Sequence, residues 1–293
     1  MNSSQFEKIK SAKGFIAALD QSGGSTPKTL ANYGVDSKSW QSNEEMFDLI
    51  HTMRSRIVTS PAFSGNRVIG AILFEETMRR KIIDKKAARY LWEEKEIVPF
   101  IKVDRGLEEI KDDAQILKPI PNLDSLLDEA IEQGVFGTKM RSVIYKASLK
   151  SIKTVVAQQF EIGTHILSKG LVPIIEPEVN IDAKDKAECE TILRDVLLTH
   201  LDMLDSQVML KLTLPEEPNF YQPLIAHPNI LRVVALSGGY SQSESCKRLT
   251  QNDNMIASFS RALTQDLRAQ QNDTQFNAAL DAALEKIYQA SLT

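Results

Sequence analysis

Histidine and cysteine are scarce in this chain of 293 residues, which has four of the first and two of the second. The cysteines, Cys189 and Cys246, stand far apart in polar stretches without CxxC spacing, which argues against a disulfide framework or a zinc knuckle. His51, His165 and His200 fall in helical patterning and His227 precedes an apolar run, so no histidine cluster offers the ligand set of a metal site. No apolar stretch reaches the roughly 18 to 20 residues of a membrane span. The polar start Met1-Asn2-Ser3-Ser4-Gln5 lacks the apolar core of a signal peptide, and the expected compartment is the cytoplasm. Lys and Arg number 35 against 39 Asp and Glu, for a net charge of −4, so there is no positive excess to attract nucleic acid. GxGxxG and Walker patterns are missing after every apolar run, which argues against the common dinucleotide and P-loop sites. Low-complexity tracts and strict repeats are missing as well.

What the chain has is 42% hydrophobic and 25% charged residues, the balance of a globular protein with a sizeable core. Short runs rich in Val, Ile, Leu and Phe recur along it, separated by longer amphipathic segments, the pattern of parallel strands joined by crossover helices. Eight such runs are read: 14–20, 67–74, 98–104, 136–142, 171–178, 207–213, 231–237 and 255–261. Eight β units spread over the whole length predict an α/β fold of the (β/α)₈ TIM-barrel type, as a single catalytic domain over 1–293. Helix signals fill the gaps, as at Asn43-Glu44-Glu45, from Asp124 onward, and across 184–203, whose charges read as a solvated face.

The anomaly lies at the C-terminal ends of these runs, where a purely structural strand would hold Val or Ile. Asp20, Lys102 with Asp104, Lys139 with Arg141, Glu176 with Glu178, Lys211, Ser237 and Arg261 occupy those ends. The i, i+2 spacing of Lys139/Arg141 and of Glu176/Glu178 puts both members on one face of a strand, with Met140 and Pro177 turned the other way. One polar strand end alone is usually solvated or paired. Repeated around a barrel, such ends converge on one rim, the face where active sites of this architecture lie. The mixture of both signs suggests an anionic substrate and acid–base chemistry.

Ser237-Gly238-Gly239 follows the seventh run, and a Ser-Gly-Gly turn can present consecutive N–H groups to a phosphate that a Cβ would obstruct. Arg261 ends the next run and can close on the same anion. A second glycine-rich element, Gln21-Ser22-Gly23-Gly24-Ser25, follows Asp20, with Lys102 and Arg141 as the positive charges beside Ser25. Between the two cradles lies Lys211 among apolar neighbours, where desolvation and nearby cations such as Lys139 favour a free amine able to attack a ketone. The structural alternative is a lysine salt-bridged to Glu176 or Glu178.

These motifs, in order Lys13-Gly14-Phe15 through Asp20-Gln21-Ser22-Gly23-Gly24-Ser25, Ile101-Lys102-Val103-Asp104, Lys139-Met140-Arg141, Pro173-Ile174-Ile175-Glu176-Pro177-Glu178, Leu210-Lys211, Leu236-Ser237-Gly238-Gly239 and Ser258-Phe259-Ser260-Arg261-Ala262-Leu263, resemble those of class I fructose-bisphosphate aldolases in their short bacterial form. The resemblance implies reversible cleavage of fructose 1,6-bisphosphate to dihydroxyacetone phosphate and glyceraldehyde 3-phosphate, a step of glycolysis and gluconeogenesis, with no cofactor and no metal. It implies Lys211 as the Schiff-base lysine, Glu176 as the acid–base that dehydrates the carbinolamine, and Glu178 as its neighbour paired with the cationic cluster. Asp20 would assist proton removal at the cleaved C3–C4 bond and Lys139 would support the intermediates. Ser237, Gly238, Gly239 and Arg261 match the C1-phosphate side, and Ser25, Lys102 and Arg141 the C6-phosphate side. Longer members carry a C-terminal tyrosine arm for proton exchange; Tyr288 is a conceivable counterpart here, although its spacing with Leu284 suits helix packing better, and the group that reprotonates the enamine is left open. Two alternatives stand beside this reading: an aldolase preferring another sugar bisphosphate such as tagatose 1,6-bisphosphate, and a non-catalytic barrel that binds sugar phosphates. The expected partner is a small sugar bisphosphate, with a homo-oligomer left open.

An iminium in place of a Lewis acid sets the first test: activity is expected to survive exhaustive EDTA treatment. Loss of turnover that added zinc restores would contradict a lysine-based mechanism.

Overall fold

Runs of β-branched and large apolar residues extend because their side chains pack on both faces of a pleated strand. In the computed structural model, which describes residues 2–22 and 24–293, all eight apolar runs contain a strand. They are β1 (Phe15–Leu19), β2 (Val68–Leu73), β3 (Val98–Lys102), β4 (Gly137–Ile144), β5 (Val172–Val179), β6 (Val208–Thr213), β7 (Ile230–Leu236) and β8 (Ile256–Ala257). Each pairs in parallel with the next, in chain order, and the sheet curls into a nearly closed barrel. The last run departs from expectation. Only Ile256–Ala257 is strand; the chain then bends, and Arg261 opens the four-residue helix Arg261–Thr264 instead of ending a strand. A two-residue strand cannot support a full ladder back to β1. The backbone hydrogen bond across that seam runs from Ala18 N–H to the Phe259 carbonyl at 3.3 Å.

Alternation along each strand divides the apolar residues into two bodies. Ile16 and Ala18, Val98 and Phe100, Val172 and Ile174, Met209, and Val234 face the barrel interior and form one cluster. Their neighbours Ala17, Leu19, Ile101, Met140, Ile175, Leu210 and Leu212 face outward and pack under the surrounding helices. Close packing sets one residue type at the start of β4: a Cβ on Gly137 would lie 2.2 Å from the Val172 carbonyl oxygen, so only glycine fits. The helices begin where the sequence offers caps. Ser42 Oγ accepts from Glu45 N–H ahead of helix Asn43–Thr59, and Asn272 with Gln275 forms a capping box on helix Asp273–Ala290. Tyr288 lies on that last helix, partly buried against the outer core.

One end of the barrel is stoppered. Helix Ser3–Ser11 places Ile9 in the interior cluster with Phe6 against it, and Arg232 from β7 donates to the carbonyls of Ile9 and Ala12, both at 3.0 Å. The open mouth is therefore at the C-terminal ends of the strands. No helix among the described residues is long and apolar enough to cross a membrane.

At that mouth β5 and β6 separate. Their ladder holds only Ile174 to Met209 and Ile175 to Leu210, which leaves room above for long charged side chains. The gap is bridged by Thr213, whose Oγ1 donates to the Val179 carbonyl at 2.7 Å and accepts from Val179 N–H at 3.0 Å. Thr213→Val keeps the shape but leaves both Val179 groups facing a methyl, a loss of about 1–3 kcal/mol. Equilibrium unfolding in urea should show that drop, and an unchanged midpoint would mean the bridge is not supporting the mouth.

Candidate active site

The interior face that carries Ile16 and Ala18 low in the barrel continues as Asp20 at the top of β1. In the same way Phe100 is followed by Lys102, Ile174 by Glu176 and Glu178, and Met209 by Lys211, while β4 contributes Lys139 and Arg141. Strand alternation thus lifts one column of side chains from apolar to ionic, and the change occurs where the interior reaches the mouth. Lys139, Glu176 and Lys211 are 2–4% exposed and Asp20 is 9%, so each charge must find a partner.

They find one another. Lys139 Nζ lies 2.9 Å from Asp20 Oδ2 and 2.7 Å from Glu176 Oε2, while Glu176 Oε1 lies 3.3 Å from Lys211 Nζ. Arg141 Nε is paired with Glu178 Oε2 at 2.5 Å, and Lys102 Nζ with Asp104 Oδ1 at 2.6 Å. Asp104 Oδ2 also accepts from Arg141 N–H at 3.2 Å, tying β3 to β4 above their ladder. Burial alone would raise the Asp20 carboxyl, but Lys139, Lys211 and Lys102 outweigh it and hold the group well below the usual carboxylate range. Burial would likewise lower Lys139, and Asp20, Glu176 and Asp104 overcome that and keep its ammonium protonated far into the alkaline range.

Asp20, Lys139, Glu176 and Lys211 therefore meet in one cluster, with Glu178 and Arg141 paired nearby. The phosphate candidates are more dispersed. Ser25 is exposed at the start of helix Thr26–Asn32, with its hydroxyl turned back to the Ser22 carbonyl at 3.3 Å, and Gly23 lies outside the described residues. Lys102 and Arg141, placed beside Ser25 by the sequence reading, are held instead by Asp104 and Glu178. Ser237 follows β7, and Gly238 and Gly239 take φ of +60° and +130°, a turn that a side chain would strain and where a Cβ on Gly238 would also strike Ile181. Arg261 lies beyond the adjacent β8, exposed, with no carboxylate partner among the described residues. The histidines are elsewhere: His51 contacts the Lys81 carbonyl, His165 contacts Asp124, His200 the Val196 carbonyl and His227 contacts Asp202.

The helix Lys186–Leu201 is not the wholly solvated face its charges suggest, because Lys186 and Glu190 are buried as an ion pair at 2.5 Å. Two further buried polar residues escaped the sequence reading. Gln159, on helix Leu149–Ser168, accepts from Glu176 N–H at 2.9 Å and donates to Ser142 Oγ at 2.9 Å, fixing the backbone that carries Glu176. Its only signal is a polar side chain within the apolar stripe of Val155, Val156 and Phe160. Arg54, on helix Asn43–Thr59, is 1% exposed and donates to Gln21 and Thr77.

The Asp20–Lys139 pair makes stability depend on pH in a defined way. A carboxyl depressed in the folded state stabilises fully above its unfolded value of about 3.9, and that contribution is lost as pH falls through the folded value. A lysine raised in the folded state stabilises fully below about 10.4 and loses its contribution as pH rises. Asp20→Asn should therefore be less stable than the parent at pH 7 and lose less between pH 5 and 3, read from urea midpoints. Parallel acid slopes in parent and variant would contradict the pairing.

Comparison with known proteins identifies the family. A family model described as fructose-bisphosphate aldolase class-I matches residues 4–223. A protein named fructose-bisphosphate aldolase class 1 from Synechocystis sp. is 55% identical over all of this chain and 98% of its own length. Among solved structures, a fructose-bisphosphate aldolase from Plasmodium falciparum superposes with a TM-score of 0.81 at 22% identity, over 98% of this chain and 93% of that one. An archaeal fructose 1,6-bisphosphate aldolase gives 0.58 at 13% identity, over 97% and 99%, which speaks for the fold. With the family model matched over most of its length and a relative at 55% identity from end to end, the chain belongs to the class I fructose-bisphosphate aldolases.

Proposed function

We propose that the chain cleaves fructose 1,6-bisphosphate reversibly through a Schiff base on Lys211, with Glu176 as the acid–base partner. The observation that carries this assignment is the placement of Glu176 between two ammonium groups, one oxygen 3.3 Å from Lys211 and the other 2.7 Å from Lys139. Lys139 fixes the carboxylate in position, and Lys211 is the amine it can serve. A proton leaving Lys211 has Glu176 Oε1 as its nearest acceptor. The amine then adds to the C2 carbonyl, Glu176 returns a proton to the carbinolamine hydroxyl, and water departs to leave a protonated iminium.

The iminium is a stronger electron sink than the ketone. Glu176, ionised again once water has left, takes the C4 hydroxyl proton, the C3–C4 bond breaks, glyceraldehyde 3-phosphate leaves, and the electron pair is held as an enamine. Protonation at C3 and hydrolysis release dihydroxyacetone phosphate and regenerate the amine. Asp20, held ionised by Lys139, is a weak base in the free enzyme; its contribution there is a fixed negative charge facing the reacting carbons. Ser237, Gly238, Gly239 and Arg261 serve the C1 phosphate, and Ser25, Lys102 and Arg141 the C6 phosphate. Lys102 and Arg141 already hold carboxylates, but Glu178 takes only the Nε of Arg141, and its Nη groups have no hydrogen-bond partner among the described residues, so they are the donors left for a phosphate on that side. Arg261 is open to an anion directly.

Lys211→Met separates the catalytic role from the structural one. Glu176 keeps Lys139 in this variant, so the carboxylate is not stranded, and the stability loss should stay below the roughly 3–5 kcal/mol of a broken buried pair. Turnover should vanish while bisphosphate binding, measured by calorimetry, persists. Residual turnover in a destabilised variant would place the nucleophile elsewhere, with Lys139 next in line. Arg261→Ala should weaken both the bisphosphate and dihydroxyacetone phosphate by about tenfold, the worth of one charge-assisted contact. Lys102→Ala should weaken chiefly the bisphosphate and glyceraldehyde 3-phosphate. Equal effects of the two on dihydroxyacetone phosphate would contradict the division of the phosphates.

A further inference from the structure

The weakest part of the barrel wall is the seam between β8 and β1, and a polar chain crosses it at the mouth. Arg54 starts the chain from helix Asn43–Thr59. Its Nη1 donates to Thr77 Oγ1 at 2.7 Å, and its Nη2 donates to the Gln21 carbonyl at 2.5 Å and to Gln21 Oε1 at 3.1 Å. Gln21 Nε2 then donates to Ser260 Oγ at 2.7 Å, across 239 residues of sequence. Ser260 immediately precedes Arg261, and the same segment is held from its other side by Gln242 Nε2, which donates to the Ala262 carbonyl at 2.7 Å.

The direction of these bonds matters more than their number. A guanidinium only donates, so the oxygen of the Gln21 amide must face Arg54 and its nitrogen must face Ser260. Ser260 Oγ is thereby an acceptor in this contact, and no acceptor for its own proton is found among the described residues. The hydroxyl proton remains available at the mouth, next to the exposed Arg261 and one strand from Ser237. Arg54 is an expensive starting point for a chain of this kind. It is 1% exposed, its Nε has no partner, and it makes no ion pair among the described residues. Burial brings its guanidinium down to about 10, against the pull of Asp20. Its Nη2 group nonetheless fixes the direction of the Gln21 amide.

We propose that Ser260 is an additional phosphate-binding residue whose hydroxyl proton is aimed at the anion by Gln21, itself oriented by Arg54. This rests on the reading that Arg261 and the Ser237–Gly239 turn receive a phosphate. It makes Ser260 a binding group and Gln21 and Arg54 positioning residues, and it ties closure of the barrel seam to occupation of the phosphate site.

The test is a double-mutant cycle on Gln21→Ala and Ser260→Ala, with inorganic phosphate as competitive inhibitor and kcat and KM measured for the bisphosphate. One hydroxyl-to-phosphate hydrogen bond lost, a bond to a charged acceptor, corresponds to roughly tenfold or more weaker phosphate inhibition. Ser260→Ala should show that change, with KM moving more than kcat. Ser260→Thr, which keeps the hydroxyl, should recover most of it. The double variant should be no worse than Ser260→Ala, because Gln21 acts through Ser260. Multiplicative effects of the two variants would overturn the relay, as would a lower melting temperature with phosphate inhibition and KM unchanged. Arg261→Ala separates the two levels. If it weakens phosphate inhibition while Ser260→Ala does not, only the relay falls; if neither does, the phosphate assignment falls and the relay with it.

Discussion

Lys139 carries a buried positive charge between the carboxylates of Asp20 and Glu176, at 2.9 and 2.7 Å. Without that ammonium, two carboxylates and their desolvation would oppose each other inside a barrel mouth that offers little water. With it, the top of β1 is fastened to the top of β4, three strands away around the wall, and Glu176 on β5 is fastened to both. The contact with Asp20 therefore acts across the lumen, and the contact with Glu176 joins neighbouring strands. It also decides how the acids divide their work, because a carboxylate clamped on one oxygen still presents the other to Lys211.

Charge is close to balanced within this cluster. Asp20, Asp104, Glu176 and Glu178 stand against Lys102, Lys139, Arg141 and Lys211, with three of the acids ion-paired at 2.5–2.9 Å and Glu176 shared between two lysines. A substrate with two phosphates therefore does not enter an open positive cavity. On the assignment proposed above, Arg261 stands free of carboxylates among the described residues on one side, whereas Lys102 and Arg141 each carry one on the other.

The parts legible in the sequence were those governed by strand alternation. Eight apolar runs gave eight strands, and the spacing of Lys139 with Arg141 and of Glu176 with Glu178 placed their side chains on the interior face, as the shared cluster with Asp20 and Lys211 shows. Periodicity has less to say once the chain leaves a strand. Arg261 was read as the end of β8, but the strand stops at Ala257 because the chain bends before it can pair with β1. Gln159 and Arg54 were barely legible: each is a single polar residue on a helix, and only the assembled barrel reveals that one holds the backbone of β5 and the other the turn after β1. Lys102 shows the reverse limit, a residue correctly placed at the mouth whose partner, Asp104, lies two positions along the chain.

The central claim is that Lys211 is the amine that Glu176 serves. It is tested most directly by treating the protein with dihydroxyacetone phosphate and borohydride and mapping the adduct by tryptic mass spectrometry. A reduced Schiff base on Lys211 blocks cleavage there, so the account predicts the adduct mass on a peptide spanning 195–232. An adduct on a peptide spanning 112–141, which contains Lys139, or no adduct at all, would contradict it.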